Sequence, residues 1–342
     1  MSDIMGPQAA AELDYVPDEP RRIVTLMGLI DRWGVLFLVG LMLFLSWISQ
    51  PDYALEPRNL ANIFRQNSFY AMLALGQFIV IVTAGIDLSV GSVMALAAMT
   101  AAVLADAGVA WPIIFIAPFA VGLFVGTING LGLTKLHMPH PFIMTLGMLF
   151  IARGATNLIS GGVPISGLPD EVRYFGAANV EMLGLQVPVS LFVILVTYFA
   201  VWIFLQYGRQ GRHIYAIGGN PEAARVSGVR VDRTLVLAYA LCGLLAGFAG
   251  LLIAGRTNSG FPAAGTGDEL YAIAAVIIGG ASFFGGRGTV LGVFAGVLVI
   301  GLLRNLLNLN QVASFWQQVA IGVVIIAVVA FDVLRRRVAA SA

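Results

Sequence analysis

The chain has 342 residues, of which 59% are apolar and only 11% charged, with a mean hydropathy of +0.90. Soluble domains carry about 25% charged residues, so a chain this poor in charge must give its apolar surface to lipid, and it reads as an integral membrane protein. Nineteen basic against eighteen acidic residues leave a net charge of +1, without the strong positive field that draws nucleic acid.

The first twenty residues carry Asp3, Glu12, Asp14, Asp18 and Glu19 with no apolar core, the wrong composition for a signal peptide. Residues 1–30 are expected to form a solvated, disordered tail. Ten apolar runs follow, near 33–48, 68–86, 88–105, 109–133, 141–159, 187–206, 235–254, 270–286, 289–303 and 313–331. A helix of about 20 such residues crosses a ~30 Å hydrocarbon layer. The expected class is therefore an all-α membrane protein with about ten transmembrane helices, in one polytopic domain over 31–335 with a short tail at 336–342. The second, third, eighth and ninth runs are interrupted by glycine and predict broken helices.

Placing the N-terminus in the cytoplasm puts Arg21, Arg22, Arg32, Lys135, Arg209, Arg212, Arg225, Arg230, Arg233, Arg287 and Arg335 to Arg337 inside. Arg58, Arg65, Arg153, Arg173, Arg256 and Arg304 fall outside or within the membrane. This bias toward the inside predicts cytoplasmic termini and an even number of crossings. The longest outer connection, 160–186, is mildly acidic through Asp170, Glu171 and Glu181. The longest inner one, 207–234, holds a helix signal of its own: Asn220 as N-cap, Pro221 at the first position, Glu222 in the first turn, Ala223, Ala224, Arg225, and Gly228 as the stop.

Within the runs, Thr83-Ala-Gly-Ile-Asp-Leu-Ser-Val-Gly91 places an acid at membrane depth, which costs roughly 2.5–3.5 kcal/mol unless a partner, cavity or helix end receives it. Two readings stand: Asp87 caps a turn at the inner surface, or it touches a transported solute as part of a broken helix. Gly285-Gly-Arg-Gly-Thr289 has similar punctuation on the same side, either a faint trace of internal duplication or the chance outcome of a chain with 40 glycines. Gly122, Gly126 and Gly130, with Gly243 and Gly247, predict close helix contacts or a subunit contact. Arg153 either finds a partner for a buried guanidinium or, the favoured reading, snorkels to the outer surface, and Asp268 and Glu269 either cap a helix or dock a receptor. The only lysine, Lys135, has no Gly-rich loop beside it, so no Walker-type ATPase is expected in the chain. Cys242 stands alone within an apolar run, and the three histidines lack metal-ligand spacing. No bound metal, cofactor or catalytic group is expected.

Thr83 to Gly91, Pro141-Phe-Ile-Met-Thr-Leu-Gly-Met148, Gly161-Gly-Val-Pro-Ile-Ser166 and Ile217-Gly-Gly-Asn-Pro-Glu-Ala-Ala-Arg-Val-Ser-Gly228 carry a further signal as an ordered set. Over roughly residues 30–335 the chain resembles the permease subunits of bacterial ABC importers of the ribose type. The acidic tail lies outside that pattern. The resemblance implies a multi-pass protein of the bacterial cytoplasmic membrane, paired with a second permease chain and two ATPase subunits. It also implies a solute-binding protein that delivers a monosaccharide. By similarity, Asn220 to Gly228 is the helix that couples to the ATPase, and the outer loops around 160–186 meet the receptor. Asp170, Glu171, Asp268 and Glu269 are candidate docking acids, and Asn67, Gln77, Thr83, Asp87, Asn129, Thr145 and Asn258 are candidates for the path by polarity. Competing readings are an importer permease for a polyol, signalling molecule or amino acid, and an ion-coupled transporter with Asp87 as coupling acid. A membrane-embedded enzyme would need a titratable cluster that the scattered acids do not supply.

Overall fold

Proline marks the start of several helices. Pro57 opens α2 (Pro57–Val82), Pro112 is second in α4 (Trp111–Lys135), and Pro141 opens α5 (Pro141–Ser160). A first-turn proline lacks an N–H that the helix leaves unpaired anyway, and its φ is already helical. The computed structural model describes residues 18–138 and 140–341 and is mainly helical. The remaining helices are α1 (Asp18–Ser49), α3 (Val90–Asp106), α6 (Asp170–Ala177), α7 (Val189–Tyr207), α8 (Arg209–Gly219), α9 (Pro221–Val226), α10 (Val231–Thr257), α11 (Asp268–Ile278), α12 (Val290–Leu309) and α13 (Ser314–Ser341).

Among the described residues, α4, α5, α7, α10 and α12 are long and apolar enough to cross a membrane. Their unpacked faces, with those of α1 and α13, present Phe37, Phe44, Phe124, Phe150, Val196 and Ile326 outward, as lipid contact requires. α2 is different. It carries Arg65, Gln66, Asn67 and Gln77, and from Asn67 to Val82 every residue but Tyr70 is buried. Helix α10 lies beside it. The expected glycine stripes meet each other here: a Cβ at Gly122 would fall 2.1 Å from the Gly243 carbonyl oxygen, and one at Gly126 would fall 2.3 Å from that of Tyr239. The α4 and α10 backbones are therefore in direct contact, the close approach that small residues permit in lipid.

Four expectations need correction. Helix α1 begins at Asp18, so the tail expected to run to residue 30 is helical from residue 18, and residues 1–17 lie outside the described residues. Asp18, Glu19 and Pro20 are helix-start residues that a search for apolar runs does not weigh. The eighth run yields only α11, whose 11 residues rise about 16 Å, too little to cross. The class is mainly rather than purely helical. Strand β1 (Ile165–Ser166) pairs antiparallel with β4 (Ser259–Gly260), and β2 (Asn179–Met182) with β3 (Leu185–Pro188). That second pair is a hairpin turning through Leu183 and Gly184, both at positive φ (54° and 75°), as a two-residue turn demands. Finally, Arg153 points inward, donating to the carbonyls of Pro262 and Ala264 at 2.6 Å each. The non-helical segment 261–267 has carbonyls that need donors, and the guanidinium supplies them.

Helix α7 separates two ends of the bundle. One end holds the β2–β3 hairpin, α6 and the N-terminal part of α2, tied together by the Arg65 guanidinium donating to Asn179 Oδ1. The other holds α8, α9 and their arginines.

Candidate functional site

At the basic end, α8 is amphipathic: Gly211, Ile214 and Ile217 are buried at helical spacing while Arg209 and Arg212 are exposed. Asn220 then starts α9, its Oδ1 accepting from Ala223 N–H at 3.0 Å. Ala224 is the only buried residue of α9 and packs with Ile217 and Val231, whereas Pro221, Glu222, Ala223, Arg225 and Val226 are exposed. The Arg225–Glu222 ion pair (2.8 Å) is exposed, contributing little to stability and leaving both charges at the surface. Gly228, at φ +85°, stops the helix.

Immediately before α9 lies a junction of three backbones. Gly286 N–H donates to the Val82 carbonyl at 2.9 Å, joining the end of α2 to the loop between α11 and α12. Gly218 fits against both, for a Cβ there would sit 1.7 Å from Val82 O and 2.5 Å from Gly286 N. Tyr215 adds a side-chain tie, its hydroxyl donating to the Gly288 carbonyl at 3.0 Å, and burial pushes this phenol up to about 12. The two Gly-rich breaks that the sequence singled out thus touch each other, with the segment leading into α9 pressed on both. A cavity of ≈ 520 Å³ opens beside this junction, lined by Thr83, Gly85, Thr134, Gly218, Arg225 and Tyr239 among others.

The α2–α3 break gathers most of the polar candidates. Asp87 is 1% exposed. Its Oδ1 accepts from Ser89 N–H (2.8 Å) and the Ser89 hydroxyl (2.6 Å), and its Oδ2 accepts from Asn129 Nδ2 (3.3 Å). Asn129 also donates to Ser89 Oγ at 2.9 Å. Gln77, in the amide orientation that satisfies both its atoms, donates to the Asp87 carbonyl (3.0 Å) and accepts from the Asp87 N–H (3.2 Å). Thr145 and Tyr239 hydroxyls both reach the Ile86 carbonyl, at 3.4 and 3.5 Å, and Thr83 donates to Val80 O at 2.7 Å. A break in a helix releases peptide groups that lipid cannot solvate, and these side chains from α2, α4, α5 and α10 satisfy them. The arrangement is a buried polar knot in which Asn129 Oδ1 is left without a hydrogen-bond partner among the described residues, and at its edge Thr83 and Tyr239 also line the ≈ 520 Å³ cavity.

The other candidates lie elsewhere. Asn258 is the left-handed cap of α10 (φ 55°), its Oδ1 accepting from Leu168 N–H at 3.0 Å. Asp170 and Glu171 are exposed in the first turn of α6, with Asp170 paired to Arg173 at 2.9 Å. Asp268 is buried and accepts from the Tyr70 hydroxyl at 2.9 Å, and Glu269 faces Gly91 at the start of α3. Asn67 lines a second cavity, of ≈ 300 Å³, together with Gln66, Tyr70, Arg256, Tyr271, Arg304, Asn305 and Gln317. Sequence reasoning singled out Asn67 but missed the rest of that cluster, whose residues come from five helices that meet at one end of the bundle.

Residues 59–329 match the family described as branched-chain amino acid transport system / permease component. The ribose import permease protein RbsC of Escherichia coli (strain K12) is 38% identical over 313 residues, covering 91% of this chain and 96% of that protein. The D-allose transport system permease protein AlsC of the same organism is 40% identical over 305 residues (88% and 91%). Its galactose/methyl galactoside import permease protein MglC is 38% identical over 317 (88% and 94%). No solved structure gives a significant match. With its apolar helices and a match that spans most of its length, the chain belongs to the membrane-integral family of branched-chain amino acid transport system / permease components.

Proposed function

We propose that this chain is the permease subunit of an ABC importer for a monosaccharide, a conduit driven by separate ATPase subunits and supplied by a solute-binding protein. Three relatives named for ribose, allose and galactose import support the substrate class. In this reading the chain is a multi-pass protein of the bacterial cytoplasmic membrane with both termini inside, and it pairs with a second permease chain. Residues 207–234 form the coupling loop of the polytopic domain, with Asn220 to Gly228 seated on the ATPase. The exposed Asp170 and Glu171 at the hairpin end meet the binding protein, whereas the inward-turned Asp268 and Glu269 serve the interior.

The observation that carries the mechanism is the three-way backbone junction. Glycines 218, 285 and 286 leave no side chain to absorb a displacement, so a push on exposed α9 passes directly to Val82 and to the α11–α12 loop. Packed assemblies move as rigid bodies, so ATPase closure tilts α2–α3 against α11–α12 rather than bending α9 alone. The Asp87 knot keeps the α2–α3 break intact during that motion, and Gln77, Thr83, Asn129 and Thr145 border the path through the part they play in the knot.

The test is uptake by the full transporter reconstituted with its ATPase and binding protein. Removal of residues 220–225, or Glu222→Arg, is expected to abolish sugar uptake while the permease remains in the membrane in normal amount. Undiminished uptake would refute the coupling role. Uphill import by the permease alone would overturn the whole reading.

A further inference from the structure

The ≈ 300 Å³ cavity at the hairpin end is a made recess between α2, α12 and α13, at the lower end of the ~300–1,000 Å³ range of small-molecule sites. Its wall is rich in carboxamides: Gln66 and Asn67 from α2, Asn305 and Asn308 from α12, Gln317 and Gln318 from α13. Several are held in place. Asn305 and Asn59 exchange hydrogen bonds at 2.8 and 3.1 Å, Gln317 donates to Asn308 at 2.8 Å, and Asn67 commits Nδ2 to the Ile63 carbonyl at 2.7 Å, which turns Oδ1 into its remaining acceptor.

The charges are arranged to be quiet. The Arg304 guanidinium lies over the rings of Tyr70 and Tyr271, 4.5 and 4.0 Å from their centroids, and Arg256 over Phe69 at 5.3 Å. Asp268 stands behind them, bonded to Tyr70. Guanidiniums stacked on aromatic faces and offset by a carboxylate form a weak anion trap. A carboxamide, by contrast, offers a donor and an acceptor together, matching a hydroxyl, which is also both. An acyl chain would need an apolar wall, and an anion would need a donor-only one.

We propose that this recess is an outward-facing subsite for a neutral polyhydroxylated solute, in which the carboxamides of α2, α12 and α13 exchange hydrogen bonds with the hydroxyls of a monosaccharide released by the binding protein. The proposal rests on the importer reading above and adds to it where the solute first touches the permease. Placement across three helices matters, for movement of α2 relative to α12 pulls the walls apart and lowers the affinity, so the solute leaves inward.

The experiment places single cysteines at opposite walls, Gln66→Cys and Gln317→Cys, in the permease–ATPase complex in liposomes. The native Cys242 is buried, so it stays in place. Labelling by a membrane-impermeant maleimide is followed with D-ribose, D-allose, D-galactose or inorganic phosphate present, and Val163→Cys on the exposed outer loop is the control. The wild-type transporter is assayed in parallel for uptake of the same sugars. The imported sugar, at about ten times its Kd, is expected to slow labelling at both walls about tenfold, with no change at position 163 and none with phosphate. An imported sugar that protects neither cysteine would overturn the subsite and leave the importer reading standing. Protection by phosphate instead would make the recess an anion site and overturn the proposal. Import of none of the sugars would overturn the importer reading itself.

Discussion

The two ends of α2 hold polar groups to opposite purposes. At Val82 to Ser89 the helix breaks inside the bundle, and every polar side chain there turns onto another protein group: Asp87 onto Ser89 and Asn129, Gln77 onto the Asp87 peptide. About three to four turns before Val82, Gln66, Asn67 and Tyr70 belong to the same helix yet line an open recess. Both regions would look alike to a polarity scale. What separates them is the adjoining space: Asp87, Gln77 and Asn129 have almost no exposed surface, whereas Gln66, Tyr70 and Gln317 line a recess of ≈ 300 Å³. Polar groups that close on one another fix a backbone that lipid cannot solvate, and polar groups left around a space are available to a solute.

Breaking the knot should therefore cost stability first. Asp87→Ala strands the Ser89 N–H, the Ser89 hydroxyl and Asn129 Nδ2 in a buried site. Leaving a buried donor unsatisfied costs about 1–3 kcal/mol, so for the three donors a loss of at least about 3 kcal/mol is expected in denaturant unfolding of the purified permease. Asp87→Asn, which retains one acceptor, should recover part of it. An Asp87→Ala protein with wild-type unfolding would mean that the knot is incidental, and Asp87 would return to the role of solute or ion contact.

The sequence made one end of this comparison legible and hid the other. An acid among glycines inside an apolar run marks a break by cost alone, and Asn220-Pro221-Glu222 spells a helix start by local chemistry, so both could be read from neighbours in the chain. The recess could not. Tyr70, midway along α2, and Tyr271, Arg304 and Gln317 on three other helices are each unremarkable in sequence, and their meeting depends on how α2, α11, α12 and α13 pack. For Arg153 the favoured reading failed for the same reason, and the alternative of a buried partner held. Snorkelling is the default for an arginine in a lone helix, and the non-helical segment 261–267 is what gives it carbonyls to hold. Glycine told half of the story, since the stripes on α4 and α10 predicted close contact but not that they contact each other.

A smaller effect on stability, with a larger one on function, is expected from Gly218→Ala. The added Cβ meets only backbone, Val82 O and Gly286 N, so relief requires the junction to open. Overpacking of this kind costs about 1–3 kcal/mol, and about 2 kcal/mol is expected here, less than for Asp87→Ala. If the junction transmits the stroke of α9, the assembled transporter should continue to hydrolyse ATP while sugar uptake falls away. Parallel loss of hydrolysis and uptake in proportion to the folded fraction would instead assign Gly218 a packing role alone.

The smallest stability change should come from the open end of α2. Asn67→Ala removes one hydrogen bond, to the Ile63 carbonyl, from a wall that water already reaches through the recess. Because water can replace the lost partner, the cost is expected near 0.5 kcal/mol, within the scatter of unfolding measurements. Uptake should respond more strongly, since a hydroxyl of the solute loses its acceptor: one such bond is worth about 1 kcal/mol, or about fivefold in rate at saturating binding protein. The ordering is the sharp part. Across Asp87, Gly218 and Asn67 the stability cost falls, while at Asn67 the loss of transport exceeds anything that stability explains. Were Asn67→Ala to unfold the permease as readily as Asp87→Ala, the contrast between buried and open ends would fail, and the recess would be one more structural knot.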